Sequence, residues 1–350
     1  MNSTFDVNGM RLGAGQRPYI VAEMSGNHNG SLDTALALVD AAAQAGAHAI
    51  KLQTYTADTM TVDVRHPRFQ ISKGHELWGD RYLYQLFEEA HTPWEWHEAI
   101  FERARQHGLA PFSSPFDRTA VELLQKLDAP MYKIASSEIT DLPLIRLAAG
   151  TGKPLIISTG MASVTEIAAA VDAAQGAGCT DLIVLSCTAS YPAPPEETNL
   201  RRIPVLAEML GVPIGLSDHT LGIGVPLAAV AFGACLIEKH MTLSRGDKGV
   251  DSAFSLEPQE VAALVTESER AWQALGTTHI GPTEAERESL RFRRSLYVVS
   301  DVRAGDTVTE ENVRSIRPTG GLEPDAIGTV LGRTFRQDAT KGTPLTWDLI

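Results

Sequence analysis

The chain is poor in the residues that mark several common protein classes. Its 350 residues include three cysteines, Cys179, Cys187 and Cys235, an odd number without C-x-x-C spacing. That excludes a disulfide framework and a zinc ribbon. Positive charge is scarce: 30 Lys and Arg stand against 43 Asp and Glu, a formal net charge of -13 at pH 7. So acidic a chain is no general partner for nucleic acid or an anionic membrane, although a few placed lysines can still govern a pocket for a small anion. No apolar run reaches about 18 residues, so no spanning helix is expected. The opening MNSTFDVNGMRLG has no basic stretch followed by an apolar one, so no secretory leader is expected. Aromatic residues make up only 6%. What these absences leave is a soluble, cytoplasmic protein of a reducing compartment. Its 43% hydrophobic residues suffice for a large domain plus a small one, or for two medium ones.

Short apolar runs alternate with longer amphipathic ones. The strand candidates are YIVAEMS (19–25), HAIKLQT (48–54), LAPFSSP (109–115), MYKIASS (131–137), PLIISTG (154–160), LIVLSCT (182–188), PIGLSDHT (213–220) and CLIEKHMT (235–242). Between them lie helical patterns such as 31–46, 94–108 and 163–178, most ending in the glycine that a left-handed cap prefers. About eight such β-α units over roughly 250 residues predict an α/β fold with a closed (β/α)8 TIM barrel. The alternative is an open doubly wound sheet, against which stands the lack of a G-x-G-x-x-G turn after the first strand. Residues 256–276 read as the last barrel helix, so the barrel domain is placed at 1–281 and the charged stretch 282–295 is read as a linker. Residues 296–350, short β-prone pieces broken by AGD, TGG and KGT turns, form a small β-rich domain. That size is marginal for stability alone, which favours docking on another surface.

Polar side chains gather where these strands end. The first ends in Glu23 and Ser25, and the second carries Lys51 and Gln53 on one face by alternation. The next bring Ser113 and Ser114, then Lys133, Ser136 and Glu138, then Ser158 and Thr159, then Thr188, Ser190 and Tyr191. The seventh carries Ser217, Asp218, His219 and Thr220, and the eighth Glu238 and His240. In parallel α/β folds chemistry sits at these ends. Hydroxyls there also serve as helix caps. A strand lysine is harder to dismiss, because its ammonium is costly to bury unpartnered; Lys51 and Lys133 point to an anion between them. His219 and His240 are either hydrogen-bonded core histidines or ligands of one metal whose remaining coordination falls to water and substrate. The Trp and Tyr residues at 78–96 read as loop packing. Lysines and hydroxyls suit phosphate or carboxylate, and a divalent cation suits polarising a carbonyl.

The strand-end segments IVAEMSGNHNG, AIKLQTY, YKIASSEITDLPLI, ISTGMAS, CTASYPAP, GLSDHT and IEKHMT resemble, in order, the motifs of the sialic acid synthase family. The resemblance covers about the first 280 residues, and the tail is similar to the family's antifreeze-like (SAF, β-clip) domain. It implies a barrel enzyme, a transferase that condenses phosphoenolpyruvate (PEP) with an open-chain amino-sugar aldehyde, giving a nine-carbon 2-keto acid and phosphate. It also implies a divalent metal (Mn²⁺, Co²⁺ or Mg²⁺) and a homodimer whose antifreeze-like domains close the partner's site. By position, His219 and His240 match the family's metal ligands. Lys51, Ser114, Lys133, Ser136, Ser158 and Ser217 match the PEP-binding positions. Glu23, Gln53, Glu138, Tyr191 and Asp251 line the acceptor site, Glu23 or Glu138 handling protons, and Arg317 matches an arginine reaching over from the antifreeze-like domain. Ala189 replaces the Asn of the neuraminate-forming members, and WGDRYLYQLFEEAHTPWEWHEAIF (78–101) resembles the segment of the pseudaminate-forming branch. That branch takes a 2,4-diacetamido-2,4,6-trideoxy-altrose, whose methyls and ring CH faces suit aromatic contact. The neuraminate and legionaminate branches stay open. So do, further off, a metal-dependent aldolase or isomerase and a non-catalytic carbohydrate- or ice-binding role for the tail.

Overall fold

A computed structural model of the chain describes residues 4–72, 77–247 and 249–350. They divide into two compact units, Met1–Gly276 and Thr277–Ile350. The first opens with a hairpin of β1 (Thr4–Val7) and β2 (Met10–Gly13), turned at Asn8 and Gly9, whose φ angles are 52° and 77°. Two successive positive φ values are what an Asn-Gly hairpin turn supplies.

Eight parallel strands follow: β3 (Tyr19–Glu23), β4 (Ala49–Thr54), β5 (Ala110–Pro115), β6 (Tyr132–Ile134), β7 (Leu155–Ser158), β8 (Leu182–Cys187), β9 (Ile214–Asp218) and β10 (Leu236–His240). They pair in chain order, and β10 closes on β3 with Leu236 opposite Tyr19 and His240 opposite Glu23. The closed barrel expected from the sequence is the fold observed, and each of its strands falls inside one of the eight runs read there. Helix α1 (Leu32–Gln44) follows β3. The excursion between β4 and β5 holds α2 (Ala57–Met60), α3 (Leu83–Ala90) and α4 (His97–Gln106). After β5 to β10 come, in turn, α5 (Arg118–Lys126), α6 (Leu142–Ala149), α7 (Val164–Gly176), α8 (Arg202–Leu210), α9 (Gly224–Ala231) and α10 (Pro258–Leu275). The side-chain caps are Ser31 on α1, Thr56 on α2, Asp117 on α5, Asp141 on α6, and the Ser163–Glu166 and Glu257–Glu260 capping boxes on α7 and α10. Ser114, Ser158 and Ser217 cap nothing and stay available for other work.

Strand alternation sorts side chains into two layers. Outward residues such as Ile20, Leu52, Ile134, Ile157, Val184 and Ile237 pack under the helices. Inward, the lower half of the barrel is apolar: Val21, Ala49, Phe112, Met131, Ile156, Leu185 and Leu236 form one cluster with Phe5, Val7 and Leu12 of the hairpin. One inward position further along, the same strands carry Glu23, Lys51, Ser114, Lys133, Ser158, Cys187, Ser217 and Glu238, all buried. The barrel is thus stoppered below by the hairpin and polar at its carboxyl end. No helix among the described residues is long and apolar enough to cross a membrane.

The second unit begins with a surprise for the sequence reading. Within the stretch read as a linker, Glu284–Phe292 forms a 3-10 helix started by a Thr283–Glu286 capping box. Beyond it, β11 (Ser295–Val298) and β12 (Val313–Ile316) pair antiparallel, followed by α11 (Ile327–Val330). Isolated bridges such as Val302 to Ala339 and Thr307 to Thr334 hold the turns together. Leu296, Val298, Val308, Val313, Val330, Phe335 and Leu345 make its core.

Leu12 is 0% exposed within the lower cluster. Leu12→Ala is expected to destabilise the barrel by about 2–5 kcal/mol, read as a lower Tm, while the protein still folded at 20 °C keeps its kcat. An unchanged Tm removes the stopper from the list of stabilising contacts.

Candidate active site

The site is built around one carboxylate. Lys133 Nζ lies 3.2 Å and Lys51 Nζ 3.6 Å from Glu238 Oε1, and Ser217 Oγ donates to the same oxygen at 3.3 Å. Lys51 also pairs with Glu23 Oε2 at 2.5 Å and lies 3.5 Å from Ser114 Oγ. Register explains the convergence: Glu238 is opposite Ser217, and Glu23 is opposite both Lys51 and His240. Gln53, two residues beyond Lys51, donates to Glu23 Oε1 and to Ser25 Oγ, both at 3.1 Å.

Burial sets the electrostatics. It works against the charge on both lysines. At Lys51 the two carboxylates Glu23 and Glu238 overcome it and raise the ammonium pKa, whereas at Lys133 it prevails over Glu238 and the pKa is lowered. Burial raises the Glu23 carboxyl; Glu238 feels the same push but is held low by Lys133 and Lys51. Glu138 follows β6 in a 3-10 turn (Ser136–Glu138), and burial pushes its carboxyl up to about 7, against a smaller opposing pull from Lys133. Several buried atoms here have no hydrogen-bond partner among the described residues: Ser158 Oγ, Glu138 Oε2, Glu238 Oε2 and His240 Nδ1. Buried polar atoms are rarely left so, and a cluster of them marks a place for a ligand. Ser136, whose Oγ donates to Cys187 Sγ at 3.4 Å, completes the hydroxyl set on this side.

The histidines lie beside this cluster. The His219 and His240 rings are 5.4 Å apart between centroids. His219 Nδ1 donates to the Thr188 carbonyl at 2.9 Å, which leaves Nε2 free. His240 is held neutral: burial lowers its pKa well below the usual value, with His219 and the lysines adding to the effect. Asp251 Oδ2 stands 3.6 Å from His240 Nδ1 and accepts a hydrogen bond from Ser25. Tyr191 covers the pair, 4.3 Å from His219 and 6.4 Å from His240 between centroids, with Phe254 at 5.3 Å and Trp78 at 5.8 Å from its own ring. Of the aromatic segment, Trp78 therefore reaches the site, while Trp94 bonds to the Tyr55 carbonyl, Trp96 packs edge-on to His28 and Tyr84 bonds to Asp58.

Among the described residues no cluster of three or more His, Cys, Asp or Glu is arranged to hold a metal unaided. A buried imidazole pair with one free nitrogen on each ring nevertheless fits a divalent cation completed by water and substrate. Arg317 belongs to the second unit, exposed just after β12.

Residues 38–280 match the NeuB family, and residues 293–350 match the SAF domain. A pseudaminic acid synthase of Campylobacter jejuni is 42% identical over 330 residues, 94% of this chain and 96% of the relative. The chain belongs to the NeuB family. A pseudaminic acid synthase of Helicobacter pylori is 41% identical over 95% of this chain and 98% of the relative. A crystal structure of an N-acetylneuraminic acid synthetase from Leptospira borgpetersenii, in complex with citrate, matches with a TM-score of 0.73 and 34% identity over 82% of this chain and 95% of that one. Synthases of the NeuB family are in general metal-dependent.

The inward-facing residues named from the sequence gather here, whereas Ser113 bonds to Thr54 and Asp218 pairs with Lys239 and Thr220 on the outward face. Glu238 had no role assigned, yet it is the group on which both lysines converge. Its alternation with His240 put it on the inward face, and that was the available signal. The Thr188 carbonyl was also missed, because it is backbone and leaves no mark in a sequence.

Glu138 generates a test by linkage. Its unfolded-state carboxyl titrates near 4.5 and its folded-state one near 7. The folded protein therefore holds a proton that the unfolded chain has lost, and stability falls as pH rises through that window. By pH 8 the loss reaches at most about 3 kcal/mol. Glu138→Gln lacks it, so its Tm advantage over the parent should widen from pH 5 to pH 8. A gap independent of pH overturns the assignment.

Proposed function

We propose that this chain condenses PEP with 2,4-diacetamido-2,4,6-trideoxy-L-altrose and water, giving pseudaminic acid and phosphate. The observation that carries this is the likeness of 42% over 94% of the chain to a pseudaminic acid synthase, with the buried lysines and imidazole pair supporting the chemistry. Lys51 and Lys133 take the anionic groups of PEP, while the hydroxyls of Ser114, Ser136, Ser158 and Ser217 complete its hydrogen bonds. Charge-assisted contacts in a water-poor pocket are the strong kind. PEP is thereby fixed with C3 toward the acceptor, and orientation supplies much of the rate. A divalent cation (Mn²⁺, Co²⁺ or Mg²⁺) held by His219 and His240 supplies Lewis acidity toward the aldehyde oxygen. Carbon–carbon bond formation joins C3 of PEP to the aldehyde carbon. Water then adds at C2, and phosphate departs by C–O cleavage to leave the 2-keto acid. Glu138, titrating near neutrality, is placed to exchange protons in these steps, with Glu23 as the second carboxyl. Gln53, Asp251 and Tyr191 meet the acceptor's hydroxyl and acetamido groups.

An acceptor panel tests the assignment. With PEP, the altro diacetamido sugar should exceed both its manno diastereomer and N-acetylmannosamine by roughly 100-fold in kcat/KM. Preference for either of the other two moves the chain to another branch of its family.

The working unit is a homodimer in which the antifreeze-like domain of one protomer covers the partner's barrel mouth and brings Arg317 to the acceptor. A guanidinium bonds acetamido and hydroxyl oxygens through a planar fork that lysine lacks, and a lid excludes water from a reactive intermediate. Arg317→Ala should lower kcat/KM through the acceptor. Lys133→Ala should weaken PEP by about 10- to 150-fold, as expected for loss of a contact of roughly 1.5–3 kcal/mol. Once tagged chains have demonstrated subunit exchange, mixing the two variants should regain part of the activity, because one site of each heterodimer is intact. Exchange without regained activity rules the arrangement out.

A further inference from the structure

Ser186 is an anomaly of its strand. Alternation turns Leu182, Val184 and Ser186 of β8 outward, beneath the helices, and Ser186 is the one polar residue of these three. Ser186 is 0% exposed there. Its partner is Arg202, the first residue of α8, whose Nε donates to Ser186 Oγ at 2.7 Å. The same guanidinium donates through Nη2 to the Cys187 carbonyl at 2.8 Å and reaches Thr188 Oγ1 at 3.4 Å. Arg202 thus grips three consecutive residues at the carboxyl end of β8. Burial lowers its pKa, and among the described residues its partners are two hydroxyls and a carbonyl rather than a carboxylate. A half-buried cation held only by neutral acceptors is costly to keep, so a role other than stability is called for.

The role follows from what those three residues do next. The Thr188 carbonyl accepts the hydrogen bond of His219 Nδ1. Three residues on, the Tyr191 ring lies against the His219 ring, and the Ala193 N–H donates to the His219 carbonyl at 3.0 Å. The segment 188–193 therefore frames one side of His219, whose ring also meets His240 and Phe254, and the fixed end of that segment is the part that Arg202 clamps. A hydrogen bond on the far nitrogen of a ligating imidazole sets its tautomer and aim. The direction of a carbonyl is in turn set by what holds its peptide.

We propose that Arg202 is a positioning residue for the cation site: from outside the barrel, through Ser186, Cys187 and Thr188, it fixes the imidazole of His219 in the orientation that takes a divalent ion. The inference rests on the reading of His219 as a ligand. It adds a group outside the pocket that touches neither substrate nor metal.

Titration of Mn²⁺ into the protein, followed by the electron paramagnetic resonance signal of the free ion, tests it without turnover. Arg202→Ala should weaken Mn²⁺ by about 10- to 100-fold, the usual effect of losing a group behind a metal ligand, and added guanidinium ion should restore part of the affinity. PEP binding in the absence of metal should stay within about twofold, because Lys51 and Lys133 are untouched. Arg202→Lys should not rescue, since one ammonium cannot bond Ser186 and the Cys187 carbonyl with the geometry of a planar fork. Should Arg202→Ala fail to fold, Ser186→Ala reports instead: it frees one arm of the clamp and should give a smaller loss of Mn²⁺ affinity. Full Mn²⁺ affinity in a folded variant overturns the proposal. If His219→Ala also leaves Mn²⁺ affinity intact, the reading of His219 itself has failed; if it abolishes binding while Arg202→Ala does not, only the clamp is wrong.

Discussion

Two lysines and two glutamates share the buried interior of this barrel. Lys51, Lys133, Glu23 and Glu238 are each less than 5% exposed, and taking each ion out of water costs several kcal/mol in a real protein. Mutual attraction recovers part of that, and a hydrophobic replacement of like volume would often recover more. Such a quartet persists where the charge itself is needed. The rest of the upper barrel can be understood as its support: Ser114, Ser217 and Gln53 complete its hydrogen bonds, and the strand register holds the four within reach of one another. The quartet is neutral as a set. An arriving trianion such as PEP must therefore draw the ammonium groups away from the carboxylates, or meet donors not already engaged, of which the unpartnered Ser158 hydroxyl is one.

The same tension separates the two histidines from ordinary core histidines. A core imidazole is satisfied at both nitrogens or is exposed at one. His97, under the β4–β5 excursion, faces Thr54 Oγ1 at one nitrogen and the Pro93 carbonyl at the other. His240 is buried with Nδ1 unsatisfied, and His219 has a single firm acceptor at its Nδ1. Incomplete satisfaction inside a packed protein is tolerated chiefly where a ligand completes it.

Periodicity made the barrel legible from the sequence, because eight apolar runs of strand length, each followed by a helical pattern, admit few architectures. The inward set was legible for a related reason: a lysine inside an apolar strand has one face available, and Lys51 with Gln53 announces which. Glu238 needed one further step, recognition that two lysines facing inward require a counter-charge of their own. The hairpin at residues 4–13 was signalled by Asn8-Gly9, but its strands are four residues long and carry Asp6 and Arg11, too short a pattern for alternation to register. The 3-10 helix at Glu284–Phe292 was hidden by its charge, since a polar surface helix and a linker have the same composition. The pairing of Ser186 with Arg202 depends on where the 188–201 connection returns to the sheet, and a linear sequence carries no such distance. Arg317 remains visible only as an exposed arginine beside a turn.

The stopper at the lower end of the barrel has a consequence for traffic. With Phe5, Val7 and Leu12 packed against the lowest ring of strand residues, the barrel is a vessel with one opening. Both reactants enter through the aperture by which phosphate and a bulky nine-carbon acid must leave. Intake and discharge then compete for the same doorway, so they alternate in time. The same aperture serves emptying as much as filling.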